Sequence, residues 1–116
     1  DNSKAEKMKK LLSMAAGGLA LLASFSAFSA DYLIDVRTPA EFSEGHLKGA
    51  LNIEYQNILN GAEALNISRE TDTIRVYCRS GHRAGIALET LRNAGFRNVE
   101  NLGGFEKLAE TMPVEK

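Results

Sequence analysis

The chain has 116 residues, with 14 Lys+Arg against 15 Asp+Glu and a formal charge of −1. That length holds one domain, and so balanced a charge, without a basic stripe, argues against a nucleic-acid partner. The single cysteine, Cys78, excludes an intrachain disulfide and a thiolate-rich metal centre, and the two histidines, His46 and His82, lie too far apart in sequence to suggest a metal site.

The N-terminal part reads as an export signal. Met8-Lys9-Lys10 is a basic start, residues 11–23 are an apolar run, and residues 24–29 are mostly small. Ala27-Phe28-Ser29 fits a cleavage site with Ala30 as the new N-terminus. The alternative is an uncleaved membrane anchor, for which the interrupted apolar stretch 11–28 is marginal in length. Residues 1–7 precede Met8 and read as a tag remnant or an upstream extension. The expected organisation is therefore a leader, 1–29, with a signal peptide over 8–29, followed by one domain, 30–116. Contact with a membrane is expected only during export, and the expected location is the periplasm. The domain carries 10 Lys+Arg and 13 Asp+Glu, a formal −3.

Residues 32–36, Tyr-Leu-Ile-Asp-Val, predict a buried strand. Thr38 then stands as an N-cap, Pro39 suits the first helical position, and Glu41 completes a capping box. The short helix runs to about Glu44 and Gly45 stops it. Residues 50–53 predict a second strand. Residues 55–65 predict a helix through Ile58, Leu59 and Ala62, weakened by Gly61. Residues 73–77 form a β-branched and aromatic strand. A helix follows, its apolar face set by Ala84, Ala87, Leu88 and Leu91, with Gly95 as its stop. Residues 99–102 predict a last strand, Gly103-Gly104 a turn, and residues 105–111 a short helix ending near Pro113. Strands alternating with helices imply an α/β fold, a mostly parallel sheet with helices on both faces. Ligands of such sheets bind beyond the carboxyl ends of the strands.

Cys78 falls at such an end, where a strand stops and a helix is about to start. The first N–H groups of a helix lack intrahelical partners, and the helix dipole adds positive potential. A tight loop from Cys78 to Arg83 curls these donors around the sulfur. Arg79 and Arg83 add two positive charges, and His82 a third at low pH. All of this favours thiolate over thiol and makes the cysteine a nucleophile. The same cradle suits an anion carried on the sulfur. A cysteine at a strand end is otherwise a small buried hydrophobe, but Arg, Ser, Gly, His and Arg are poor company for a core position.

These residues resemble a known family. Cys78-Arg79-Ser80-Gly81-His82-Arg83 is similar to the active-site loop of single-domain rhodaneses. Ile34-Asp35-Val36-Arg37, Glu41-Phe42, Gly45-His46-Leu47 and Gly49-Ala50-Leu51-Asn52-Ile53 resemble its N-terminal signature, and Gly103-Gly104-Phe105 its C-terminal one. The resemblance spans nearly all of residues 32–108. Glu54 stands where the family often has Pro and Leu108 where it often has Trp, both at packing positions. The resemblance implies a rhodanese-like fold and thiosulfate sulfurtransferase chemistry. Cys78 is then the sulfur carrier, a persulfide is the intermediate, and Arg79, Ser80, Gly81, His82 and Arg83 bind the substrate. It implies no cofactor and no metal, a small anionic sulfur donor, a cyanide or thiol acceptor, and a monomer. The two half-reactions make ping-pong kinetics the expectation. Asp35, Arg37 and Glu41 read as a structural ion-pair network, with Asp35 orienting a loop arginine as a second reading; His46 reads as a packing residue.

Three rivals share the fold. Phosphatases that resemble rhodaneses have five residues between Cys and Arg, whereas four, Arg79 to His82, stand here. Phosphate needs the wider cradle, so the count favours sulfur. Arsenate reduction would need an external thiol, since no second cysteine exists to resolve the product. A non-catalytic rhodanese module would generally lack the cysteine that this chain keeps.

Overall fold

The computed structural model describes residues 28–116, and the expected leader, apart from its last two residues, lies outside them. Four parallel strands make the central sheet: β1 (Asp31–Asp35), β3 (Leu51–Asn52), β4 (Thr73–Cys78) and β5 (Asn98–Gly104), in the order β3-β1-β4-β5. Between them run α1 (Pro39–Glu44), a 3-10 turn (Tyr55–Asn57) continuing into α2 (Ile58–Ala64), and α3 (His82–Asn93); α4 (Phe105–Leu108) follows β5. Among the described residues no helix is long and apolar enough to cross a membrane.

Alternation along the inner strands sends side chains to two cores. Ile34, Val36, Ile74, Val76 and Cys78 pack with Ile58 and Ala62 of α2 and with Ala84, Ala87 and Leu91 of α3. Tyr77, with Leu33 beside it, belongs to the other core, against Leu47, Phe42, Phe105 and Leu108. Both faces are therefore covered, as expected of a parallel sheet. β4 lies between β1 and β5, and Ile74 and Val76 to Cys78 are all buried. The carboxyl end of this strand is consequently the best-fixed point in the sheet.

The local signals at α1 hold. Glu41 N–H donates to the Thr38 hydroxyl at 3.2 Å, and Thr38 N–H donates to Glu41 Oε1 at 3.0 Å. Gly45, at φ 152°, ends the helix, its N–H on the Phe42 carbonyl. α3 is helical to Asn93, and Gly95 follows in the left-handed region at φ 98°.

Gly61 lies inside α2 without breaking it, at a point where a Cβ would meet Ile53 side-chain atoms at 2.8 Å. Other expectations are corrected. Gly103 and Gly104 do not form a free turn. They extend β5, pairing with Tyr77 and Cys78 after a bulge that passes Leu102. α4 stops at Leu108 rather than 111. Its chain continues to β6 (Val114–Glu115), which pairs antiparallel with β2 (His46–Leu47) in a second sheet. Two strands of two residues, far apart in sequence, leave no periodic signal. Their register comes from Leu47 being buried in the second core and from His46, whose Nε2 lies 3.3 Å from the Glu115 carboxylate.

Candidate active site

Cys78 is the last residue of β4, and its side chain has no solvent-exposed surface. The chain then turns through Arg79, Ser80 and Gly81 into α3. Gly81 makes the turn possible: at φ 99° it sits in the left-handed region that side chains avoid. The sulfur accepts from Gly81 N–H at 2.9 Å and from Ala84 N–H at 3.4 Å. The expected cradle of backbone donors is present, with its second donor one residue beyond the expected 79–83 ring. Both bonds stabilise negative charge on the sulfur. Arg79, Ser80 and His82 are exposed at the rim, and Arg83 is half-buried.

β5 supports the loop from behind. Gly104 lies so close to the Arg79 carbonyl that no Cβ fits between them, and a Cβ on Gly81 would lie 3.5 Å from Gly103 Cα. Asn101 Nδ2 donates to the Gly81 carbonyl at 3.0 Å. Two of the motifs thus meet in space: the cysteine loop rests on the Gly-Gly pair.

The arginines are held by one carboxylate. Arg83 makes a bidentate pair with Glu41, Nη1 to Oε1 at 2.8 Å and Nη2 to Oε2 at 3.0 Å. Arg79 Nη1 lies 3.5 Å from the same Oε2. The Arg83 guanidinium, and with it the Thr38 backbone bond, hold the Glu41 carboxyl down to about 2 from an ordinary 4.5. Glu41 therefore ties the cap of α1 to the cysteine loop. Arg37 instead pairs with buried Asp35, Nη2 to Oδ2 at 2.7 Å and Nε to Oδ1 at 2.9 Å, and donates to the Gly45 carbonyl. The structural ion-pair reading holds for Asp35 and Arg37. The residue that orients the loop arginines is Glu41, not Asp35, whose oxygens Arg37 occupies. His46 stacks on Phe42 with ring centroids 3.6 Å apart and hydrogen-bonds its carbonyl.

An open depression of about 220 Å³ lies at the same end of the sheet, lined by Arg37, Glu41, Glu44, Gly45, Arg79, Phe105 and Glu106. Arg79, with its side chain 69% exposed, links this depression to the loop. Among the described residues no group of histidine, cysteine and carboxylate side chains is placed to hold a metal ion. A pairing of Arg83 with Asp35 or Glu41 is open from the sequence and the fold selects Glu41, whereas the role of Asn101 behind the loop escapes the sequence because it acts across 19 intervening residues.

The fold is thus a parallel α/β sheet with a lone cysteine at the carboxyl end of an inner strand, its sulfur met by the N–H groups of a turn and a helix start. The chain belongs to the rhodanese family: the model of the rhodanese-like domain matches residues 19–111. Thiosulfate sulfurtransferase PspE of Escherichia coli is 37% identical over 91 residues, covering 78% of this chain and 86% of that protein. The chloroplastic thiosulfate sulfurtransferase 16 of Arabidopsis thaliana is 37% identical over 89 residues, 66% of this chain and 72% of its own. Among solved structures, an E. coli rhodanese with anions superposes with a TM-score of 0.66 at 36% identity, covering 74% of this chain and 98% of that one. At the level of the family, these relatives support a sulfurtransferase.

Proposed function

We propose that this chain is a thiosulfate sulfurtransferase working through a Cys78 persulfide. The observation that carries the reading is the sulfur of Cys78 at the end of β4 with the Gly81 and Ala84 N–H groups directed at it. The thiolate attacks the outer sulfur of thiosulfate. A bond forms between Cys78 Sγ and that sulfur, the donor's S–S bond breaks, and sulfite leaves with the electron pair. Cyanide or a thiolate then takes the outer sulfur, and the Cys78 thiolate returns. A cysteine that attacks as the thiolate needs no general base. The persulfide is also an anion, and preorganised N–H donors stabilise it without reorganising.

Arg79 is the open cation of the loop and the residue proposed to meet the thiosulfate oxygens, with Ser80, Gly81 and His82 shaping the rim. Arg83 spends its fork on Glu41, so its proposed contribution is to hold the loop. The proposal extends to export, supported by Met8-Lys9-Lys10 and the apolar run after it; N-terminal sequencing of periplasmic material should begin at Ala30. The enzyme is proposed to act as a monomer without a cofactor.

The decisive experiment is intact-protein mass spectrometry before and after thiosulfate. One added sulfur, removed by cyanide and absent in Cys78→Ser, is the expected result. A folded Cys78→Ser protein that still moves sulfur from thiosulfate to cyanide overturns the reading.

A further inference from the structure

The cradle depends on the two peptides that meet at Gly81. Gly81 N–H donates to the Cys78 sulfur at 2.9 Å. The carbonyl of the same residue accepts from Gly85 N–H at 2.9 Å, the first bond of α3, and from Asn101 Nδ2 at 3.0 Å. Asn101 is fixed at its other end too, since its Oδ1 accepts from Gly103 N–H at 2.8 Å. The bulge in β5 makes this possible: Asn101 pairs with Val76, yet the next residue of β5 in register, opposite Tyr77, is Gly103. The amide is thus pinned between the Gly-Gly segment and the turn.

We propose that Asn101 is a positioning residue for the sulfur cradle, holding the peptide between Gly81 and His82 with its carbonyl turned away from Cys78. A trans peptide is planar, so its C=O and N–H point in opposite directions. Fixing the Gly81 carbonyl on β5 fixes the plane of the Gly81–His82 peptide, which adjoins the Ser80–Gly81 peptide whose N–H meets the sulfur. Gly81 has the freest backbone in the loop, and rotation there would swing a carbonyl dipole toward an anionic sulfur. The helix bond from Gly85 resists that rotation from within α3; Asn101 resists it from the sheet. The Asn101 amide serves both ends, its oxygen as acceptor for Gly103 and its nitrogen as donor to Gly81. Asn101 is exposed and uncharged and touches neither sulfur nor the arginines, so its effect runs through the backbone alone.

This inference rests on Cys78 being the sulfur carrier, and the test separates the two. Asn101→Ala removes both bonds. Asn101→Ser keeps an oxygen for Gly103 N–H but is too short to reach Gly81. Each variant is compared with the parent by the rate of Cys78 alkylation with iodoacetamide at neutral pH, by the lifetime of the persulfide formed with thiosulfate, and by melting temperature. Both variants should alkylate about two- to tenfold more slowly, the worth of one hydrogen bond, with a matching loss of persulfide lifetime and little change in melting. Alkylation unchanged in both variants overturns the proposal, whatever happens to the melting temperature. So does Asn101→Ser behaving as the parent while Asn101→Ala is impaired, because the bond to Gly103 would then suffice. Alkylation uses no sulfur donor, so failure of the parent to accept sulfur from thiosulfate would count against the proposed function and leave this test intact.

Discussion

Glu41→Gln isolates the charge that joins α1 to the cysteine loop. Glutamine keeps an oxygen for Thr38 N–H, so the helix cap survives, while the bidentate ion pair with Arg83 becomes at most one neutral hydrogen bond. A carboxyl held from 4.5 down to about 2 corresponds to a ceiling of roughly 3 kcal/mol, at about 1.4 kcal/mol per pH unit. Part of that comes from Thr38, which glutamine still satisfies. The two side chains are 19% and 25% exposed, so solvent screens the remainder, and the expected loss is about 1–2 kcal/mol. For a domain of this size that is a fall of about 5–15 °C in melting temperature. The sign of the pH dependence follows from the direction of the shift. The folded-state value is depressed, so the stabilisation is complete above the ordinary 4.5 and is lost as pH falls toward about 2. Urea unfolding of parent and variant should therefore show a gap at neutral pH that shrinks by about half or more at pH 3. A variant as stable as the parent at neutral pH, or a gap unchanged at pH 3, refutes the reasoning.

Arg79→Ala should cost about tenfold in kcat/KM with thiosulfate and less with a neutral sulfur donor, whereas Arg83→Ala should lower the melting temperature and slow all donors alike; equal losses for both donors in Arg79→Ala would remove Arg79 from substrate binding. Gly104→Ala places a methyl against the Arg79 carbonyl; displacing the loop should cost about 1–3 kcal/mol of stability and a larger share of activity, and a fully active variant would show that the loop does not rest on β5. Tyr77→Phe leaves the buried Leu47 N–H without the phenolic oxygen it reaches at 2.9 Å, with an expected loss of about 1–3 kcal/mol by denaturation; the phenol itself should titrate well above its ordinary value because it is buried.

Much of this protein could be read along the chain because the signals are local. A capping box needs only Thr38, Pro39 and Glu41. The strand at 73–77 and the face made by Ala84, Ala87 and Leu91 need only their own periodicity, and together they leave Cys78 at a strand-to-helix junction with unpaired N–H groups ahead of it. The α/β class, the covered sheet and the place of Cys78 at the end of β4 follow from those pieces. What lay beyond reach depended on distance in space. The bulge that puts Gly103 and Gly104 opposite Tyr77 and Cys78, the pairing of His46–Leu47 with Val114–Glu115, and Asn101 behind Gly81 all arise between segments that carry no mark of each other. The arginines show the division most clearly. Sequence alone determined that two cations flank the cysteine; only the folded chain, by bringing Glu41 from α1 to within 2.8 Å of Arg83, decided that one of them is held by a carboxylate while Arg79 remains largely exposed to solvent. Arg79 reaches the same carboxylate only at 3.5 Å; charge is a property of the residue, but how far it is spent inside the protein depends on what the fold places beside it.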